Sequence, residues 1–444
     1  MSVPPALLSV AILVVGAMVI LTLTSRLTRD STALGTIGML TLVVAALPSV
    51  AGDPLSQIAL FSILGAAAIA MLLVPSAELH VTTQRPEVAA LVLLGSAGAV
   101  VLATAGDLLS AALGLETLSL SAAVLIGLGR GERPLEAAFK YFVLSAITFA
   151  ALIYGLGLIF LATGSFAWPS LAQVEAAYHW VLLAGVMLFG LGVSYELAVV
   201  PLHWGALDVY TAGAPALAGY VMAASKVAAV LALGRLVVGA GAPPPAVLIG
   251  IGLLSIVWGT LGALAQRELR RMLAYSAVAN AGFLALALGC GAEGRAAAVF
   301  YVEIYALTAL LVFAALAGRG PGPLGLADVP SEEWGATRAL GLALGLLSLA
   351  GIPPAPGFWA KLAVLAAAWH AAGWGPTVVA AVGGVAGVLY YLRPLPDVFA
   401  AVRADGGGPG PRFPAPAVLL AGAAVVFLGL VPGLAYAIAR LAIG

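Results

Sequence analysis

The sequence predicts an all-α polytopic membrane protein with about fourteen transmembrane helices. Three observations carry that reading. Hydrophobic residues make up 63% of the 444 and charged residues only 9%, for a mean hydropathy of +1.13; a soluble domain carries about 25% charged residues. The apolar residues gather into runs near the ~20 residues a helix needs to cross the hydrocarbon core. These Leu/Ala/Val runs lack the alternation of a barrel strand, and backbone groups in lipid must pair within their own segment, so the runs are helices.

Taken in order, the spans are 4–24, 33–50, 55–75, 88–105, 107–128, 136–163, 179–200, 212–238, 246–265, 273–290, 296–317, 336–370 (broken), 376–400 and 414–436. The first opens on MSVPPALLSV, without a basic flank or a small-residue cleavage site, and is expected to span rather than to be a signal peptide. The seventh stops at Pro201 and the twelfth is interrupted at Pro353 and Pro354, because proline lacks an N–H and clashes with the preceding turn. SYELAVVPLHW (194–204) and LAGIPPAPGFWAKLAVL (349–365) therefore echo each other, each a Pro break beside an aromatic and a charge. Such breaks in two halves point to an inverted-repeat transporter with its site at the midplane. The longest hydrophilic connections, 318–335 and 403–414, are rich in Gly and Pro and are loops. With no soluble domain and no phosphate-binding glycine motif, the chemistry is expected inside the membrane.

The arginines fix an orientation. Arg26, Arg29, Arg85, Arg130, Arg133, Arg267, Arg270, Arg271, Arg319, Arg338, Arg393, Arg403 and Arg412 fall on one side, and Arg235, Arg295 and Arg440 on the other. The positive-inside rule places the first group inside and both termini outside. A formal net charge of zero argues against nucleic-acid binding, and the single cysteine, Cys290, excludes an intrachain disulfide and multi-cysteine metal sites. No His/Asp/Glu spacing resembles a metal site.

The charges inside the spans carry the functional signal. An uncompensated charge near a helix centre costs roughly 2.5–3.5 kcal/mol on insertion scales. The chain has sixteen arginines but three lysines, and Lys140, Lys226 and Lys361 all sit in or at the edge of apolar helices. Lysine can lose its proton when desolvated whereas arginine stays charged, so this division suits a proton relay. Glu116, Glu196 and Glu303 add acids within spans, and His203, Asp208 and Tyr210 form a polar group beside the break at Pro201. The plainer readings are a structural ion pair for the lysines and Glu116, and hydrogen bonding between helices for Glu303. Arg270 and Arg271 are expected to be loop charges, and His80, His179 and His370 sit near span ends.

The runs VVPLHWGALDVYTAGAPALAGYVMAASK (199–226), RELRRMLAYSAVANAGFLALAL (267–288) and LSLAGIPPAPGFWAKL (347–362) resemble the antiporter-like membrane subunits of respiratory complex I. RPEVAALVLLGSAGAVVLATAGDLLSAALGLETLSL (85–120) and EAAFKYFVLSAITF (136–149) extend the likeness, which is nearest to subunit N of the bacterial proton-pumping NADH:quinone oxidoreductase and covers roughly residues 75–400. The resemblance implies fourteen helices in which two inverted five-helix repeats carry broken helices 7 and 12. That divides the chain into helices 1–3 (1–75), a first repeat of helices 4–8 (76–238), a second of helices 9–13 (239–402) and a C-terminal helix 14 (403–444). It further implies that Glu116 takes the place of the fifth-helix glutamate, Lys226 of the central eighth-helix lysine and Lys361 of the twelfth-helix lysine at the outward exit. Lys140 matches a sixth-helix lysine and His203 the His of the Pro-x-His string.

Two departures stand out. Where the family has a seventh-helix lysine this chain has Glu196, so Glu116 loses its expected partner and two acids that cannot both ionise comfortably come together. Lys140 is one candidate counter-charge. Where the family often has a tenth-helix His, this chain has Asn280. The implied function is a proton-translocating subunit without a cofactor of its own. NADH, flavin, iron–sulfur clusters and quinone are expected in partner subunits, and the partners include a second antiporter-like subunit, small membrane subunits and the lipid of a bacterial inner membrane. A proton would enter past His203 and leave past Lys361. Three alternatives stay open: a subunit of a cation/proton antiporter or hydrogenase-like complex, a scaffold with a decayed channel, and an independent solute carrier.

Overall fold

A computed structural model describes residues 4–23, 31–240, 244–318, 324–326, 335–403 and 414–443. Arg26, Arg29, Arg319, Arg412, the side chain of Arg403 and most of the connections 318–335 and 403–414 lie outside the described residues. Within them the chain forms eighteen α-helices. They are α1 (Pro5–Thr22), α2 (Ser31–Ala46), α3 (Pro54–Leu73), α4 (Arg85–Thr104), α5 (Leu108–Gly127), α6 (Glu132–Thr163), α7 (His179–Leu197), α8 (Trp204–Ala212) and α9 (Pro215–Ala240). The second half continues with α10 (Pro245–Ala265), α11 (Leu269–Leu288), α12 (Gly291–Leu316), α13 (Ala336–Ala350), α14 (Pro356–Ala371), α15 (Trp374–Leu392), α16 (Leu395–Arg403), α17 (Pro414–Leu430) and α18 (Pro432–Ile443). Among the described residues, eleven helices are individually long and apolar enough to cross a membrane.

Each predicted span contains a helix, and local chemistry sets the ends. Asp53 and Asp107 cap α3 and α5 in the same way: one carboxylate oxygen accepts the backbone N–H of the residue three positions on, and the other accepts that residue's hydroxyl (Ser56 and Ser110). Two spans are less simple than the hydropathy predicts. The stretch 376–400 ends as a helix at Leu392 and restarts as α16 beyond Pro394, and 414–436 is bent by 86° between α17 and α18, at Pro432. In both places the missing proline N–H and the restricted residue before it stop the first helix.

The centre of the bundle is α9, α11 and α12, buried along most of their lengths. Glycines allow the tightest pairings around it. Gly98 on α4 meets the backbone of α5 near Gly114, and Gly252 on α10 meets the backbone of α11 near Gly282; a Cβ at any of the four would collide with main-chain atoms. Small residues let backbones approach where lipid gives little hydrophobic drive for association.

Loop contacts sort the helix ends onto two faces. Arg130 N–H bonds to Glu78 C=O, Arg85 to Pro75 C=O, Arg338 to the carbonyls of Ala315 and Ala317, and Arg393 to those of Leu264 and Gln266, all at one face. Arg235, Arg295 and Arg440 lie at the other, with Asp53, Ala105, Trp168 and Glu293. Arg270 and Arg271 correct the expectation of loop charges. Both sit in the first turn of α11, and Arg270 is only 7% exposed, donating to the carbonyls of Tyr210 and Gly213 and so holding the corner between α8 and α9.

Candidate functional site

The site is built on the two broken spans. Helix α7 stops at Leu197 because Ala198 turns left-handed (φ 64), its N–H bonding back to Ser194 and Tyr195. Beyond the turn, the Val200 N–H donates to Ser255 Oγ on α10 at 2.9 Å. Leu197 C=O is left without a helical partner, and Lys226 Nζ from α9 donates to it at 2.9 Å. In the twelfth span α13 stops at Ala350, followed by left-handed Gly351 (φ 78). There Lys361, on α14, folds back to donate to Leu349 and Ala350 C=O at 2.8 and 3.1 Å. X-Pro bonds at both breaks, Val200–Pro201 and Pro353–Pro354, are cis.

The two lysines thus share one arrangement. Each amine sits on the carbonyl end of a half-helix, which carries roughly half a negative charge. Each also lies over an aromatic ring, Tyr210 at 5.6 Å for Lys226 and Phe283 at 5.9 Å for Lys361, within the range of a cation–π contact. Breaking the span is what makes the carbonyls available, since an unbroken helix would use them itself. Lys226 is wholly buried, so these groups replace its hydration. A non-glycine residue in the left-handed region costs about 1–2 kcal/mol. Ala198→Gly is accordingly expected to raise the thermal midpoint of the detergent-solubilised chain, and an unchanged or lower midpoint would deny strain at this turn.

Glu196 joins Lys226 at the first break. Its carboxylate, 3% exposed, accepts from Ser119 on α5 and from Tyr141 on α6 at 2.9 Å, and it interacts electrostatically with Lys226 on one side and Glu116 on the other. Ser119 is one turn beyond Glu116 on α5, so Glu196 bridges the Glu116 helix to the lysine helix. Glu116 itself is half-buried, and its Oε2 has no hydrogen-bond partner among the described residues.

Two expectations are corrected here. Lys140 is not the counter-charge to Glu116: it is half exposed and pairs with Glu136 at 2.6 Å and Asp208 at 3.5 Å. The polar group of His203, Asp208 and Tyr210 also disperses, because successive residues of a short helix point in different directions. Asp208 faces Lys140 and Arg271, Tyr210 faces Lys226, and His203 is buried with Nε2 accepting the Trp258 indole N–H at 3.0 Å.

Between the lysines runs a row of buried phenols that the sequence reading did not single out. Tyr305 donates to the Met222 sulfur, one turn before Lys226, at 3.1 Å. Tyr301 donates to Asn280 Oδ1 at 2.6 Å, and Asn280 Nδ2 donates to Tyr391 Oη at 3.2 Å. Tyr301 meets Phe283, the ring beneath Lys361, edge-on. Asn280, where the resemblance implied a His, thus forms a neutral bridge between Tyr301 and Tyr391. The signal was present as tyrosines inside otherwise apolar runs, since a buried hydroxyl needs a partner. Among the described residues, no group of three or more His, Cys, Asp or Glu could hold a metal ion.

The sequence profile of the NADH:quinone oxidoreductase/Mrp antiporter transmembrane family matches residues 105–389. The chain belongs to this family. The matched region includes both breaks and the site residues above except Tyr391. Subunit 14 of the NADH-quinone oxidoreductase of Thermus thermophilus is 39% identical over 347 residues, covering 78% of each chain. In the solved respiratory complex I of the same organism, with bound aureothin, one chain superposes with a TM-score of 0.82 at 32% identity, over 97% of this chain and 98% of that one. A chain of the Mrp complex from Dietzia sp. DQ12-45-1b has a TM-score of 0.85 at 20% identity, over 100% of this chain and 97% of that one, and shares the fold. Relative to the pattern expected of the family, the exchange at position 196 moves an acid onto the broken seventh span beside Lys226.

Proposed function

We propose that this chain is the subunit N-type proton-translocating membrane subunit of an NADH:quinone oxidoreductase, with the redox chemistry in partner subunits. The observation that carries it is the shared arrangement at the two breaks: a lysine amine held on half-helix carbonyls, with an acid electrostatically tied to the first. An ionised Glu196 favours the ammonium form of Lys226, and loss of that charge favours release of its proton. Glu116 is the residue through which an outside charge change acts on Glu196. The released proton passes along Tyr305, Tyr301, Asn280 and Tyr391 with intervening water to Lys361, which hands it out. His203 and the Lys140–Asp208 pair mark the entry side.

The two halves support the inverted repeats, 76–238 and 239–402, with helices 1–3 (1–75) before them and helix 14 (403–444) after. Each half opens with a glycine-tight helix pair and breaks its fourth span. The arginine-rich face is the inner one, which puts both termini outside a bacterial inner membrane. Other antiporter-like and small membrane subunits are the expected neighbours.

A tagged chain recovered in mild detergent should bring with it an assembly that oxidises NADH with quinone, and mass spectrometry should identify the membrane-arm partners. Proton uptake by that assembly in vesicles should collapse with a protonophore and need no sodium. Recovery with hydrogenase or antiporter subunits alone, or without partners, would overturn the assignment. In the same assay Lys361→Met should slow proton transfer about 100-fold, the size of a lost acid–base group, while leaving the partner set unchanged.

A further inference from the structure

We infer that the face opposite the arginine-rich loops carries a built site for one anionic phospholipid, independent of the proton path. A cavity of about 420 Å³ opens there, in the size range of small-molecule pockets. Its walls are apolar, including Leu55, Val230, Leu288 and Val299, and the charged groups that line it are Arg235 and Arg295. All its elements contribute their ends: the start of α3 and α12, the last turns of α9, α11 and α18, and the short helical turn Trp168–Ala172. It therefore sits at the depth where hydrocarbon gives way to headgroups.

The charge that lines the cavity is of one sign. Arg235 donates to Ala105 C=O at 2.8 Å and has Asp53 as an electrostatic partner. Arg295 Nε is buried and has no hydrogen-bond partner among the described residues. Nearby Glu293 is engaged by Arg440 at 2.9 Å and by Tyr436. The two charged side chains that line the cavity are both guanidiniums, and each has five donors. Trp168 closes one side, its indole N–H on the same Ala105 carbonyl at 2.9 Å, as tryptophans do at the membrane boundary. An apolar trough ending in donors that fit a phosphate matches an acyl chain with an anionic headgroup, the chemistry of basic pockets between spanning helices.

The test uses the purified full chain in detergent, titrated with phosphatidylglycerol or phosphatidylcholine and read by native mass spectrometry. The wild-type chain should retain one phosphatidylglycerol and prefer it over phosphatidylcholine. Arg295→Gln should weaken phosphatidylglycerol about fivefold and leave phosphatidylcholine unchanged, and Arg295→Lys should keep most of the preference. Should Arg295→Gln not fold, Val238→Trp at the exposed lip should weaken both lipids by occupying the trough. Equal retention of the two lipids by the wild type, an Arg295→Gln preference like the wild type's, no effect of Val238→Trp, or displacement by glycerol phosphate as effective as by the lipid would each overturn the proposal.

Discussion

Replacing Lys226 by Met is expected to leave the assembly intact and to slow NADH-driven proton uptake about 100-fold. Methionine fills nearly the volume of lysine, so α9 keeps its packing at a position that is 0% exposed. What disappears is the amine on Leu197 C=O, and with it the group that faces Glu196. One carbonyl is then orphaned, at about 1–3 kcal/mol, so a modest loss of thermal stability should accompany the loss of transfer. Uptake rates in reconstituted vesicles, normalised to the amount of assembled complex, check both. Full uptake in the variant would remove Lys226 from the path.

Glu196→Gln is the second large effect. The amide keeps the shape and one acceptor oxygen for Ser119 and Tyr141, so α5, α6 and α7 stay joined. It removes the acid that interacts electrostatically with Lys226. Uptake should fall about tenfold or more, with assembly and NADH oxidation by the peripheral partners retained. Glu196→Lys restores the residue type expected of the family, yet sets a second cation beside Lys226 unless Glu116 turns to meet it. It should therefore be less active than the wild type here. A scaffold with a decayed channel predicts no change in either variant, so uptake by Glu196→Gln at the wild-type rate would favour that reading.

Much of this was legible in the sequence because the membrane imposes so few solutions. Long apolar runs must be helices, prolines must break them, and the scarcity of lysine points to Lys226 and Lys361, which the structure places on the carbonyls at the two breaks. The partners were not legible. Glu196 reaches Ser119 and Tyr141 across 77 and 55 residues, and no local spacing encodes such a contact. The role of the breaks as carbonyl cradles depends on left-handed turns at Ala198 and Gly351, and an alanine gives no hint of one. Arg270 and Arg271 are neighbours in sequence, but a helix turns about 100° per residue. One is therefore buried against Gly213 while the other meets Asp208 at the surface. Lys140, one candidate counter-charge to Glu116, instead meets Asp208 for the same reason: its face of α6 points to α8.

The central claim is that the acid at position 196 acts through Lys226. A double-mutant cycle on proton uptake tests it most directly, because residues in one network couple while independent ones multiply. Glu196→Gln with Lys226→Met should pump no worse than Lys226→Met alone. If the two losses instead multiply, Glu196 works by another route and the paired relay at the first break is wrong.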